Sequence, residues 1–376
     1  VTPVPVSPAD GEDLARAVAD LYREAELALL ELIARLLGSD LESPRWVERK
    51  LAAVRDLRSG AETLTAALRD DATGAIGTAV AAAYARGRQA AVAELGMLPE
   101  GLRAFAERAV PNAPVVDRLA AAVVVEQDPV WVRILRAVED IYRSVVARVS
   151  GTVLTGVMTR RQAAQRALDQ LTARGVAGFV DRAGRSWDMA SYAEMSVRTA
   201  TGRAAIQGHT DRLAALGQRY VTVSDSPLEC PLCRPWEGEV LALPGPGGER
   251  DVTLPHATDD GRQVAVRVAG SLPEARAAGL LHPNCRHSIS LYLPGVSTRP
   301  VSPPHPGGAT YEDTQHQRYL ERQVRQWKRR QAVALDDTAR RAAGARVRAY
   351  QGRIRALTAE KQLPRKSARE QIGTAR

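Results

Sequence analysis

All three cysteines of the chain and three of its six histidines fall within residues 224–293. The chain reads CPLC at 230–233 and HPNCRH at 282–287, two elbows of one form: a ligand-type residue, Pro, one further residue, Cys. Zinc needs side chains that can shed a proton and a backbone that turns tightly enough to aim two of them at one point, which a two-residue gap achieves. Facing each other, the elbows would offer Cys230, Cys233, His282 and Cys285 to one tetrahedral ion at about 2.0 to 2.3 Å, with His287 as a substitute for His282. An odd number of cysteines in paired spacing fits metal ligation in a reducing compartment better than a disulfide framework. The plainer alternative makes the cysteines small buried hydrophobes, with His282 capping a turn.

Bond-breaking chemistry is a weaker reading of the same residues. His282, Asn284 and His287 superficially resemble the His, Asn and His of ββα-metal nucleases, which set a general base beside a divalent ion. Here base and metal ligand would be packed into six residues, and the segment that follows, SISLYL at 288–293, reads as strand where such sites need a helix. A cysteine nucleophile lacks a third, orienting group. His256 with Asp259 and Asp260 reads as a solvated loop. Arg198 and Arg203 near Asp188 and Glu194 read as ordinary ion pairs on a helix. The elbows are therefore read as a structural staple, and no catalytic residue is assigned.

Strands and turns surround the elbows. RYVTV at 219–223, residues 239–243, 264–268 and 288–293 are strand-like, a short helix is expected over 273–279, and Pro and Gly crowd 244–248 into a loop. Together these make a small α+β module resembling a zinc ribbon. Ahead of it the pattern is helical. Leu14, Val18, Leu21, Ala25, Leu29, Leu32 and Leu36 recur three or four apart over 10–37, one apolar stripe on about seven turns. A second helix is expected over 44–57, with Ser43 as N-cap, Pro44 at its first position, Trp46 and Leu51 facing inward and Gly60 as its stop. An Ala-rich third should run from 61 to 95. Residues 115–126 form a helix, and Pro129 opens a new one. Helices also fit 159–171 and 189–216, with a hairpin over 178–187 between them. After a linker with five prolines in 294–308, residues 311–361 return to helix, and the end from Leu363 is expected to fray. The domain boundaries that follow are 1–174, 175–295, 296–310 and 311–376.

The chain has 376 residues, 4% aromatic, so its core must come mainly from Ala, Leu and Val, a composition that favours packed helices. No run of eighteen apolar residues and no signal-like start is present, so neither a membrane span nor secretion is expected. The net charge is +9, but residues 296–376 hold 18 Lys and Arg against 7 Asp and Glu, so the excess lies at one end. Such an end suits a polyanion through counterion release, with Arg322, Arg325, Lys328, Arg329 and Arg330 as candidate nucleic-acid contacts; a solvated helix face is the alternative.

Four blocks carry a resemblance: GFVDRAGRSWDMASYAEMSVRTATGRAAIQGH (178–209), VSDSPLECPLCRPWEGEVLAL (223–243), LPEARAAGLLHPNCRHSISLYLPG (272–295) and YLERQVRQWKRRQAVAL (319–335). In this order they resemble the minor capsid protein 2 family of tailed bacteriophages, related to the Mu F-like head morphogenesis proteins. The resemblance implies a non-enzymatic structural protein of the virion, present in the host cytoplasm during assembly. It implies action near the portal and in DNA packaging or ejection, with contacts to portal and other capsid proteins; a homo-oligomer is a further candidate assembly. The loop at 244–261 looks like a variable insertion, to which no function transfers.

Overall fold

The computed structural model describes residues 12–95, 113–174, 179–180, 186–187, 189–226, 228–282, 285, 287–299, 301 and 303–373. The chain is mainly helical with one small five-stranded sheet. It divides into two compact units. One takes the described residues of 1–16, 75–123 and 195–311, the other those of 17–74, 124–194 and 312–376. Among the described residues, no helix is long and apolar enough to cross a membrane.

The helices follow the apolar stripes, with differences where a neighbour overrides a local signal. α1 (Glu12–Gly38) forms where expected, but its buried face is shifted: Val18 and Leu29 of the expected stripe are buried, Leu14, Leu21, Ala25, Leu32 and Leu36 are half-buried, and Tyr22, Ile33 and Leu37 complete the buried side. α2 is shorter than expected, Trp46–Ala52, and Ser43 accepts a bond from the Arg45 amide without capping a first turn. Trp46 is fully buried and its indole N–H donates to Leu37 O, whereas Leu51 points outward, 47% exposed. Gly60 is no stop. α3 (Val54–Leu95) runs through it for 42 residues. Likewise α4 (Ala113–Leu154) passes through Pro129, where a break is expected. Its face of Val138, Tyr142, Val145, Val146 and Val149 is buried, and Trp131 stacks on Tyr22 with ring centroids 5.1 Å apart. Losing one ladder hydrogen bond is outweighed by such burial. α5 (Arg160–Arg174), the hairpin strands β1 (Phe179–Val180) and β2 (Ser186–Trp187), and α6 (Met189–Ala215) fall where the sequence places them; the hairpin turn at 182–184 lies outside the described residues.

The sheet belongs to the first unit. Its strands are β3 (Tyr220–Val223), β4 (Val240–Ala242), β5 (Arg250–Pro255), β6 (Gln263–Ser271) and β7 (Ile289–Leu291), in spatial order β5-β6-β4-β3-β7. Among the described strands only β4 and β6 pair in parallel, and β6 leads into the short helix α7 (Leu272–Ala277), close to where one is expected. β5 occupies part of the stretch read as an inserted loop: its alternating burial pairs it with β6, which is longer than expected. Within this unit α3 and α6 cross with backbones in contact, since a Cβ on Gly87 would overlap the carbonyl of Ala205 and one on Gly208 that of Tyr84. Beside the crossing, buried Glu94 accepts from Leu291 N–H at 2.9 Å and pairs with His209 at 2.9 Å, tying β7 to both helices.

In the second unit α8 (Tyr311–Ala332) and α9 (Asp337–Glu360) share a core of Leu320, Val324, Val347 and Ile354. The end does not fray at Leu363. That side chain is buried, and a 3-10 turn at Ser367–Glu370 is held by Arg365 and Gln351 on buried Glu370.

Candidate metal centre

β3 and β7 bring the two elbows together. They pair antiparallel with Val223 opposite Ile289, so the end of β3 and the start of β7 lie side by side. The pairing extends one step further through Ser224 N–H to Ser288 O, 2.9 Å, and Ser288 N–H to Ser224 Oγ, 2.9 Å. The first elbow leaves β3 and the second enters β7 at this one end of the sheet.

Each elbow closes by the same backbone bond, Cys233 N–H to Cys230 O at 3.1 Å and Cys285 N–H to His282 O at 2.9 Å. The second is reached through Leu281 in the left-handed region, φ 59°, a costly conformation for a branched side chain that aims His282 at the first elbow. All three cysteines are buried and free of disulfides. Cys233 lies at the centre: its Sγ is 3.5 Å from Cys285 Sγ, and it belongs to two donor triads, with Cys230 and His282 and with Cys285 and His287. His282 Nε2 is 2.8 Å from Cys230 Sγ, and His287 Nδ1 is 3.4 Å from Cys285 Sγ. Asn284 lies outside the described residues.

The electrostatics favour a partly ionised cluster. The Cys233 hydrogen bond holds the Cys285 thiol well below its ordinary value against the opposing effect of burial, and the His287 ring and amide add to it. Cys233 is pushed up, by its bond to the Cys285 sulfur and by burial. For His287 burial disfavours the cation, yet Cys285 and Glu237 more than offset it and the net direction is upward. Soft thiolates and imidazoles converging in a buried site are the donor set zinc takes. Two sulfurs on one tetrahedral zinc stand about 3.8 Å apart; the Cys233–Cys285 separation is close to that.

Glu237 is the site residue that spacing did not reveal. Its Oε1 is 2.6 Å from His287 Nε2 and accepts the Ser226 amide at 3.2 Å. Nothing in the local pattern distinguishes it from other glutamates; only the packing of β7 beside the first elbow sets it against His287.

The candidate nucleic-acid residues on α8 have varied surroundings. Arg322 is exposed. Arg329 is buried and donates to Glu26 at 2.6 Å, and buried Arg325 donates to Arg369 O at 2.6 Å and Ser191 Oγ at 3.0 Å. Lys328 bonds Gln371, and Arg330 bonds Thr172 and Asp169 O while lying over the Trp327 ring.

Fold and site together define a mainly helical protein with a small sheet module bearing a buried Cys/His cluster. By sequence the chain belongs to the phage minor capsid protein 2 family, whose profile matches residues 6–359. It is also similar to a structural protein of Lactococcus phage LL-H, with 26% identity over 227 residues covering 58% of each chain. The chain thus spans little more than half the length of that curated relative. No solved structure matches it.

Proposed function

We propose that this chain is a minor structural protein of a tailed-phage head, acting in head assembly near the portal vertex and in packaging or ejection of DNA. The observation that carries the reading is the family match across residues 6–359. Residues 1–174 serve as the helical docking region for portal and other capsid proteins, 175–295 as the metal-stapled module, 296–310 as linker and 311–376 as the basic tail. The protein passes from host cytoplasm to virion without catalysing a reaction. Zinc, where bound by the Cys/His cluster, supplies folding energy to the module. Mass spectrometry of purified virions should find the chain, and a reconstruction without imposed symmetry should place it at the portal vertex; its absence from virions ends the proposal. The nuclease alternative predicts plasmid nicking with Mg²⁺ or Mn²⁺ that His287→Ala abolishes, and no nicking is expected.

The DNA-facing part of this reading rests on cations left at the surface. Arg322 on α8 and Arg341, Arg346, Arg348, Arg353 and Arg355 on α9 are exposed. They form two rows seven residues apart along α9, Arg341, Arg348 and Arg355 on one flank, Arg346 and Arg353 on the other, with small residues between. A helix of that kind suits contact with phosphates on both walls of a groove and carries little to read bases with, so binding should be independent of sequence and steeply salt-dependent. Retention on DNA that does not change with salt would refute it.

A further inference from the structure

We propose that His287, oriented by Glu237, is the histidine ligand of the metal, and that His282 stands outside the coordination sphere as a hydrogen-bond partner of Cys230. This rests on the metal reading above and goes beyond it by choosing between the two histidines.

Three independent observations carry the choice. The first is the partner on the far side of the ring. His287 Nε2 lies 2.6 Å from Glu237 Oε1, so the ring proton belongs on Nε2 and the Nδ1 lone pair is left facing the sulfurs. Glu237 is itself fixed, by the Ser226 amide on the same oxygen and by Arg299 on its backbone carbonyl. A carboxylate behind the imidazole is the arrangement that sets tautomer and ring angle in metal-bound histidines.

The second is distance. On one tetrahedral zinc, with bonds of about 2.3 Å to sulfur and about 2.05 Å to nitrogen, ligand S and N stand about 3.5 Å apart. His287 Nδ1 and Cys285 Sγ are 3.4 Å apart, whereas His282 Nε2 and Cys230 Sγ are 2.8 Å apart. The longer separation leaves the metal–ligand angle open. The shorter one would force an S–metal–N angle of about 80°, far from tetrahedral.

The third is burial and backbone. The His287 side chain is 2% exposed, while His282 is part-exposed. Cys285 and His287 are both buried and lie just ahead of β7. The His287 amide also points at Cys285 Sγ, 3.4 Å away, and an N–H aimed at sulfur favours the thiolate a metal requires. The coordination set is then Cys233, Cys285 and His287, whose donor atoms lie within 4.8 Å of one another, completed by Cys230 from the neighbouring triad.

Cobalt(II) substituted into the metal-free full-length chain reads the ligand set directly, because thiolate-to-cobalt charge transfer scales with the number of sulfur ligands and the d–d bands with their type. His287→Cys should raise the charge-transfer intensity by about one third over the three-thiolate wild type. His282→Ala and His282→Cys should leave both band position and intensity unchanged. Glu237→Gln should keep the wild-type spectrum while weakening cobalt affinity about 10- to 100-fold, a loss of affinity at unchanged ligand type that a merely folding-defective variant would not give. The assignment is overturned if His282→Cys adds the thiolate intensity, whether or not His287→Cys does, or if Glu237→Gln binds as tightly as wild type. Wild-type protein that takes up no cobalt fails differently: it removes the metal reading itself.

Discussion

Arg329 offers a sharp test of whether a cation on the basic tail serves the core or the surface. Its guanidinium donates to Glu26 at 2.6 Å, and the two side chains are 9% and 1% exposed. With charge centres about 4 Å apart and an effective dielectric of about 20, the attraction is ~4 kcal/mol. Replacing Glu26 by Ala removes the carboxylate that faces this buried guanidinium, and breaking one side of such a pair costs about 3 to 5 kcal/mol. Arg329→Met should cost a similar amount by removing the cation that faces buried Glu26. Replacing both, Glu26→Leu with Arg329→Met, removes the two desolvation penalties together, so the double variant should lie within about 1 to 2 kcal/mol of wild type. Urea unfolding followed by tryptophan fluorescence is suited to this, because Trp46, Trp131 and Trp327 all lie in the same unit as the pair. Single losses below about 1 kcal/mol, or losses that simply add in the double variant, would refute the reasoning. So would Arg329→Met weakening DNA retention at unchanged stability.

Four further outcomes are expected. Gly87→Ala should destabilise the first unit by about 1 to 3 kcal/mol or more, because the added carbon meets the Ala205 carbonyl, whereas Gly77→Ala, with nothing within 4 Å, should stabilise it by about 0.5 to 1 kcal/mol; denaturant melts of both variants check the contrast. Burial opposes ionisation of Glu370, yet Arg365 and Gln351 more than offset it and hold the carboxyl below its ordinary 4.5. A lowered carboxyl stabilises fully above that ordinary value and loses the contribution as pH falls through the lowered one, so the protection factors of amides at 363–370 should fall below about pH 4.5, and Arg365→Met should weaken that pH dependence. Elemental analysis should return about one zinc per chain, and chelation or Cys233→Ser should lower the melting temperature of the sheet-bearing unit; a zinc-free chain with unchanged melting refutes the staple. Each of Arg341, Arg348 and Arg355 replaced by Gln should flatten the slope of log affinity against log salt by about 0.9, as read by DNA retention over a salt series.

Much of the helical architecture was legible because it is local. A pattern of apolar residues three or four apart needs no partner to be recognised, and α1, α5 and α6 form where it places helix, although the face α1 buries is shifted from the stripe. The two elbows were legible for the same reason: a ligand, a Pro and a Cys in four residues specify a turn whatever surrounds it, and Cys230 and His282 each close one. The charge excess of the last eighty or so residues was equally plain in composition.

What the sequence could not decide was which neighbour covers a given face. Charge spacing does not distinguish Arg322, exposed, from Arg329, buried against Glu26 some three hundred residues away, since only an assembled unit excludes water from one and not the other. Pro129 and Gly60 read as boundaries because a missing N–H and a missing side chain weaken an isolated helix; burial elsewhere along each helix, as at Tyr142 and Val145 or Leu57 and Ala61, overrides both. The strand β5 was hidden among Pro and Gly until β6 supplied its hydrogen-bond partner. At the metal centre the sequence by itself determined the donor types and the two turns. Only the tertiary structure, by pairing β3 with β7, set Glu237 behind His287, because a contact between residues fifty apart depends on how strands pair and not on the spacing within either elbow.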